Sequence, residues 1–427
     1  MRRWQERREA VELATGARVA RTARYLEQGS AAFWRANLAL FLGGWVTFAC
    51  LYSTQPVLPA LTAEFGVPPA LASLSVSVTT ATLAVTMLLV ASLSDAWGRK
   101  PVMTASLVAS GALALLTAFS PDFHTLLVLR TLQGVALAGF SAIGMTYVAE
   151  EIAPHYLGLA MGVYISGNVL GGMSGRLTVG LIADVAGWRG ALGALGAAGL
   201  VGGLAFWRLL PPSAHFTARP FAARRVRSAL AVPLHDPGLL CLYGIGFLLM
   251  GGFVTLYNYL GYQLMAPPYS LSQAAIGWVF LSYLAGAFSS TVMGRLADRV
   301  GRRKVLWTGA AIMLAGAALT LPPSLPLKIA GVVVFTFGFF AGHSIASSWV
   351  GRRALTHRAQ ASALYLFFYY MGSSIGGPIG GIFWSGFGWP GVVAMIAGAL
   401  ALALALSVRL AAIPPVVVAG EPAPRRP

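Results

Sequence analysis

Acidic residues are scarce in this chain: Asp and Glu number 13 in 427 residues, and charged residues of every kind amount to 10%, against about 25% in an ordinary soluble domain. With 57% of the residues hydrophobic, that scarcity excludes a soluble globular fold and calls for surroundings that solvate apolar side chains. Cysteine is rarer still. Cys50 and Cys241 each lie inside an apolar run, which excludes a disulfide framework and a cysteine metal site and leaves two small buried apolar residues. A GxxxxGK[ST] phosphate loop is missing, so ATP is not the direct energy source. Metal-ligand clusters and a nucleophile elbow are missing too, and no cofactor or enzymatic activity is expected. The net charge of +17 would suggest nucleic acid in a soluble protein, but basic stripes interleaved with exposed aromatics are absent, and nucleic acid is not an expected partner.

What is present is a series of apolar runs, each long enough to cross about 30 Å of hydrocarbon. They fall near 36–58, 71–93, 102–120, 125–148, 157–182 and 189–210, and again near 238–262, 274–297, 304–322, 326–350, 360–384 and 390–412. Their length and lack of alternation predict helices rather than barrel strands. An even number of spans places both termini on one side, and the basic residues choose that side. Of the 30 Lys and Arg, only Arg130, Arg176, Arg189 and Lys328 fall away from the termini and the loops on their side, so the positive-inside rule puts both termini in the cytoplasm. Residues 1–35 read as a basic cytoplasmic segment, either a solvated tail or a helix on the anionic inner leaflet. Residues 211–237, rich in Pro and Arg, read as a cytoplasmic linker between two six-helix halves, 36–210 and 238–412, and 413–427 as a cytoplasmic tail.

The halves repeat each other. "SLSDAWGRKPVM" (Ser92 to Met103) returns as "GRLADRVGRRKVLW" (Gly294 to Trp307), so that Asp95, Gly98 and Arg99 match Asp298, Gly301 and Arg302 at an offset of 203. "FACLYSTQ" aligns with "FVTLYNYL", and Gly167, Gly171, Gly172 and Gly175 align with Gly372, Gly376, Gly377 and Gly380, both at an offset of 205. Parallel repeats of this kind place a substrate site at their interface, near the bilayer midplane. The two charged clasps resemble the loop signature of the major facilitator superfamily, and "LRTLQGVALAG", with Arg130, Gln133, Gly134 and Gly139, resembles its fourth-helix motif. Together with "LYSTQPVLP", "GMTYVAEEI", "YISGNVLGGMSGR", "GFLLMGGFVTLYNYLGY", "SSWVGRRA" and "YYMGSSIGG", they resemble the YnfM-type, arabinose-efflux-permease-like bacterial transporters over about residues 35 to 412.

The resemblance implies an all-α membrane protein of twelve transmembrane helices arranged as two pseudo-symmetric six-helix bundles. It implies a multi-pass transporter of the bacterial inner membrane, acting as a monomer: a proton-coupled exporter of small molecules, or alternatively an importer, uniporter or lipid flippase on the same fold. In such proteins the clasp latches the halves in the outward-open state. That role falls here to Asp95, Gly98 and Arg99 with Glu150 or Glu151 as the partner of Arg99, and in the second half to Asp298, Gly301 and Arg302. Asp95 is also placed to accept from backbone donors at a neighbouring helix N-terminus. The central helices, one, four, seven and ten, offer Tyr52, Gln55, Gln133, Tyr147, Tyr257, Asn258, Tyr259, Gln263, His343 and Trp349 to a cavity, joined by Asn168, Tyr365 and Tyr369 from helices five and eleven. Superfamily antiporters carry Gly-Pro and paired Gly in helix five; here Gly172 stands in place of the Pro and Arg176 in place of the last Gly. Charge inside a span is costly and points to function. Arg130 reads as a substrate or proton-coupling residue or as half of a structural salt bridge, Arg176 as a side chain snorkelling to the outer interface. No carboxylate is left for the membrane centre, so His343 is the one near-neutral titrator inside a span; a hydrogen-bonded structural histidine is the competing reading.

Overall fold

The computed structural model describes residues 25–218 and 228–414. Residues 1–24, where most of the basic N-terminal segment falls, lie outside them, as do the central part of the linker and the tail beyond Pro414. The described residues are almost wholly helical, with one isolated bridge between Leu26 and Ile152. Nine continuous segments among them are long and apolar enough to cross a membrane. Two of these are helix pairs run together, broken at Gly187 (φ 67°) and at Gly388 (φ 61°). Arg302–Leu319 is a further helix of the same length class, charged in its first turn by Arg302, Arg303 and Lys304. Counted this way there are twelve membrane helices.

In chain order, α1 runs Ala31–Leu51 and resumes after a turn at Gln55–Val57 as Leu58–Phe65. Then come α2 (Leu74–Trp97), α3 (Arg99–Thr117), α4 (Phe123–Glu151), α5 (157–186) and α6 (188–209). The second set is α7 (Pro237–Met265), α8 (Gln273–Val279, continuing as Tyr283–Val300), α9 (Arg302–Leu319), α10 (Leu325–Arg353), α11 (358–387) and α12 (389–412). Starts are set by capping. The Ser30 hydroxyl accepts from Phe33 N at 3.2 Å, and the Asp236 carboxylate accepts from Gly238 N at 2.7 Å with Pro237 at the first position of α7. Asp122 accepts from Thr125 N and from the Thr125 hydroxyl, and these bonds hold its carboxyl below the usual carboxylate range.

The clasps now have a backbone reason. Gly98 and Gly301 take φ of 94° and 95°, a region that costs little without a Cβ, and this single residue lets α2 turn directly into α3 and α8 into α9. Arg99 and Arg302 then stand at the first position of the following helix, where the dipole disfavours a cation, and each is compensated by the acid four residues earlier. Inside each half the helices approach through small residues, as packing in lipid requires. A Cβ on Gly167, Gly171 or Gly175 of α5 would come within 2.6 Å of the α1 backbone at Phe41, Trp45 and Ala49. Gly158 and Gly162, earlier in α5, have open space around them. The outer surfaces are apolar where lipid covers them: Val85, Phe288, Ile382 and Val408 are all exposed.

The halves meet at the end of the bundle remote from the clasps. There Thr62 and Tyr262 share a hydrogen bond of 2.7 Å, the Gln273 side chain donates to Pro56 O, and Gln273 N donates to Asp184 at 3.1 Å. A Cβ on Gly381 would lie 2.4 Å from Ala70 Cα, and one on Gly180 would lie 2.8 Å from Gly277 Cα, so α11 seats on the short turn of helix Pro69–Ala72 just before α2, and α5 on α8, with almost no gap. At the clasp end, the contacts run within each half and its flanking segments. Lys100 donates to Leu210 O at 2.5 Å, Arg35 to Arg208 O at 3.0 Å and Arg303 to Ala411 O at 3.1 Å.

Candidate transport site

Three polar constellations lie inside the bundle. The first is built on Arg130 of α4, which is buried with 1% of its surface exposed. Its Nε donates to Ser75 O at 2.8 Å, Nη2 to Leu51 O at 2.6 Å, and Nη1 to Cys50 O at 3.0 Å, Ser53 Oγ at 3.1 Å and Gln133 Oε1 at 2.5 Å. The Gln133 amide donates onward to Ser110 O at 3.0 Å. Neither of the readings offered by the sequence describes this: no carboxylate pairs with Arg130 among the described residues. Helix α1 breaks around residues 51–55, and its freed carbonyls accept from Arg130. The guanidinium stitches α4 to α1 and α2 within one half, with its donors committed to the protein.

The second constellation sits between the halves. Arg176, read as snorkelling to the interface, is instead 3% exposed and points inward. Its Nε donates to Gln55 Oε1 at 2.7 Å and its Nη1 to Gly172 O at 2.5 Å. The guanidinium carbon lies 4.3 Å from the Tyr52 ring centre, 5.2 Å from that of Tyr283 and 5.6 Å from that of Phe280. Gln55 passes the contact across the junction, donating to Asn258 Oδ1 at 2.8 Å. Tyr259 donates to Gly377 O at 2.6 Å beside it. Desolvation drew Arg176 out of the sequence reading: its position near a helix end suggested water, but α8 of the other half covers that end.

The third constellation belongs to the second half. Phe253 stacks on Phe339 at 3.8 Å, and the Tyr257 hydroxyl lies 2.6 Å from both Ser282 Oγ and Thr336 Oγ1. His343, half-buried, faces the Tyr365 hydroxyl through Nδ1 at 3.0 Å, and its ring lies 4.6 Å from that of Tyr369.

The remaining candidates scatter. Asn168 packs beside Gly44 in the first half, and half-buried Gln263 lies one turn beyond Tyr259. Tyr147 is at the clasp end, donating to Pro211 O at 3.0 Å, and Trp349 lines a groove there with Gly301, Arg302 and Lys304; neither joins the central groups. In the first clasp, Arg99 pairs with Asp95 at 2.6 Å and bidentately with Glu150 at 2.8 and 3.0 Å. Glu151 is not its partner: it accepts from Ala214 N and His215 N, both at 3.0 Å. The Asp95 carboxylate pairs with Arg99 four residues on rather than with a neighbouring helix terminus. In the second clasp, Asp298 sits 3.1 Å from Arg302 and 3.8 Å from Arg352, largely exposed.

The sequence model of the Major Facilitator Superfamily matches residues 40–267 and 245–426. The chain belongs to the major facilitator superfamily. It is 52% identical to the uncharacterized MFS-type transporter YybF of Bacillus subtilis (strain 168), over 91% of this chain and 96% of the relative. It is 47% identical to the inner membrane transport protein YnfM of Escherichia coli (strain K12), over 91% and 93%. Among solved structures, the inward-facing, occupied form of a bacterial homolog to the human lysosomal transporter Spinster superposes with a TM-score of 0.73 at 17% identity, covering 88% of this chain and 96% of that one. The superfamily fold and a multi-pass membrane location follow. As a member, the chain is a transporter, not an enzyme. Sequence reasoning missed Phe280 and Tyr283 at the Arg176 guanidinium, which carry no signal of their own because aromatic rings inside apolar spans are common.

Proposed function

We propose that this protein exports small molecules across the bacterial inner membrane in exchange for protons, by rocking its halves about a central site with both termini in the cytoplasm. The observation that carries the reading is the Arg176–Gln55–Asn258 chain, a polar link between halves that otherwise touch at one end only. Breaking so few cross-half bonds opens one face, and closing the clasp end completes the cycle. The inner membrane is supported by the name of the YnfM relative, and outward transport by the resemblance to efflux permeases. His343 is the proton carrier in this scheme, since it is an ionisable side chain within a span of the second half and its Nδ1 faces the Tyr365 hydroxyl at 3.0 Å. Asp95, Arg99 and Glu150 latch the clasp end, and Asp95, paired with Arg99 but 40% exposed, is open to the second half as that end closes.

The test is substrate-induced proton movement in proteoliposomes holding an imposed pH gradient, across sugars, organic acids and amphipathic cations. A cargo should collapse the gradient only when the protein is present. His343→Gln should abolish proton movement while leaving substrate counterflow intact. Counterflow of a cargo without any proton movement in the wild type would overturn proton coupling and leave a uniporter.

A further inference from the structure

Arg176 poses a problem of charge. It is a buried cation at the junction of the halves, and among the described residues no carboxylate pairs with it; its partners are an amide, a main-chain carbonyl and aromatic faces. A buried, uncompensated charge is costly, and an isolated one is retained where something else supplies the counter-charge. Arg130 shows the contrast, because its guanidinium is held by five protein acceptors within its own half.

The neighbourhood of Arg176 holds a second, independent sign. Four buried polar groups there are left out of the surrounding hydrogen-bond network: Ser77 Oγ and Asn258 Nδ2 have no partner, and Tyr52 Oη and Ser373 Oγ have only each other. They come from α1, α2, α7 and α11, two helices from each half. They are also close together. A Cβ on Gly377 would fall 3.0 Å from both Asn258 Nδ2 and Ser77 Oγ, Tyr52 faces Ser373, and Asn258 is tied through Gln55 to Arg176. Each of the four can donate, and a buried donor left unmade costs about 1–3 kcal/mol. Donors converging from both halves beside one cation, against a wall of Tyr52, Phe280 and Tyr283, match a single chemistry: a planar monoanion with two acceptor oxygens and an apolar body.

We propose that the Arg176 junction is the substrate site and that its cargo is a small organic monocarboxylate. The carboxylate takes the guanidinium and the donors of α1, α2, α7 and α11, while its apolar body lies on the aromatic wall. Contact with both halves at once lets the ligand hold them together in the occluded state. This inference rests on the transporter reading and names the class of cargo for it.

The experiment uses the full chain in lipid nanodiscs at neutral pH, with binding followed by intrinsic fluorescence for acetate, hexanoate and benzoate, and for benzamide and benzylamine as uncharged and cationic counterparts of benzoate. At least one carboxylate should bind saturably, and both counterparts of benzoate should bind more weakly than benzoate itself. Arg176→Gln should weaken carboxylate binding about thirtyfold or more, with Arg176→Lys restoring part of it. Should Arg176→Gln fail to fold, Ser373→Ala and Asn258→Leu take its place, each expected to weaken binding about fivefold. Unchanged carboxylate affinity in a folded Arg176→Gln protein overturns the proposal, as does silence of all three acids at millimolar concentration. Proton-coupled transport of a neutral or cationic cargo alone would sink the carboxylate site and keep the transporter. Carboxylate binding without any transport would keep the site and sink the transporter reading.

Discussion

Helices α5 and α11 invite direct comparison, because the same ladder of glycines packs each against the first helix of its half. Gly167, Gly171 and Gly175 press on Phe41, Trp45 and Ala49 of α1, and Gly372, Gly376 and Gly380 press on Phe247, Gly251 and Thr255 of α7. One residue after the ladder the likeness ends: Arg176 stands in α5, while the matching Gly381 in α11 seats directly on Ala70 of the other half. Packing is repeated and chemistry is not. A repeat keeps what each bundle needs to fold in lipid, small residues where backbones touch, and varies what faces the other bundle. In the first half that variable face carries Arg176, and the second half meets it with the Phe280 and Tyr283 rings.

The strongest way to break this comparison is to remove the cation that serves folding. Arg130→Met removes five buried hydrogen bonds, most of them tying α4 to α1 and α2, and should destabilise the protein by about 3–5 kcal/mol. Loss of monodisperse protein on size-exclusion chromatography is the expected readout. Arg176→Gln should keep its elution profile. If the two variants collapse together, the division between a structural and a substrate-facing arginine is wrong.

A smaller loss should come from the ladder, and equally from both halves. Gly171→Val and Gly376→Val each push a branched side chain into backbone that a Cβ alone would meet at 2.4 and 2.7 Å. Overpacking of this kind costs about 1–3 kcal/mol, read as a lowered apparent melting temperature in detergent. Unequal losses would show that the repeats share a pattern without sharing an energetic role.

The sequence carries the repeated part of the molecule plainly and the unrepeated part poorly. Twelve apolar runs, a doubled clasp and two glycine ladders place the helices, since each feature depends on local periodicity and on main-chain needs such as the positive φ of Gly98 and Gly301. Tyr52, Gln55 and Asn258 are legible as well, through their place on central helices. Arg176 is misread because its environment is made by a distant part of the chain, where Phe280 and Tyr283 beside and in α8 turn an interface position into a buried one. Glu150 and Glu151 are adjacent in sequence, and only the turn at the end of α4 decides that one faces Arg99 and the other the start of the linker.

The smallest expected effect sharpens the comparison at the clasps. Arg99, with 9% of its side chain exposed, is held by Glu150 through two bonds and by Asp95, whereas Asp298 is 65% exposed and meets Arg302 through one bond and Arg352 at 3.8 Å. Hydrogen bonds to a shielded charge keep most of their strength, while exposed pairs are screened and cost side-chain entropy to form. Glu150→Gln should therefore cost about 2 kcal/mol, and Asp298→Asn less than about 0.5 kcal/mol, compared as apparent melting temperatures of the two variants. Raising the salt concentration should erase the Asp298 difference and leave most of that for Glu150, because only the exposed pair is open to counterions. Equal sensitivity to salt would mean that the first clasp is no better shielded than the second, and the asymmetry between the halves would then be confined to the membrane interior.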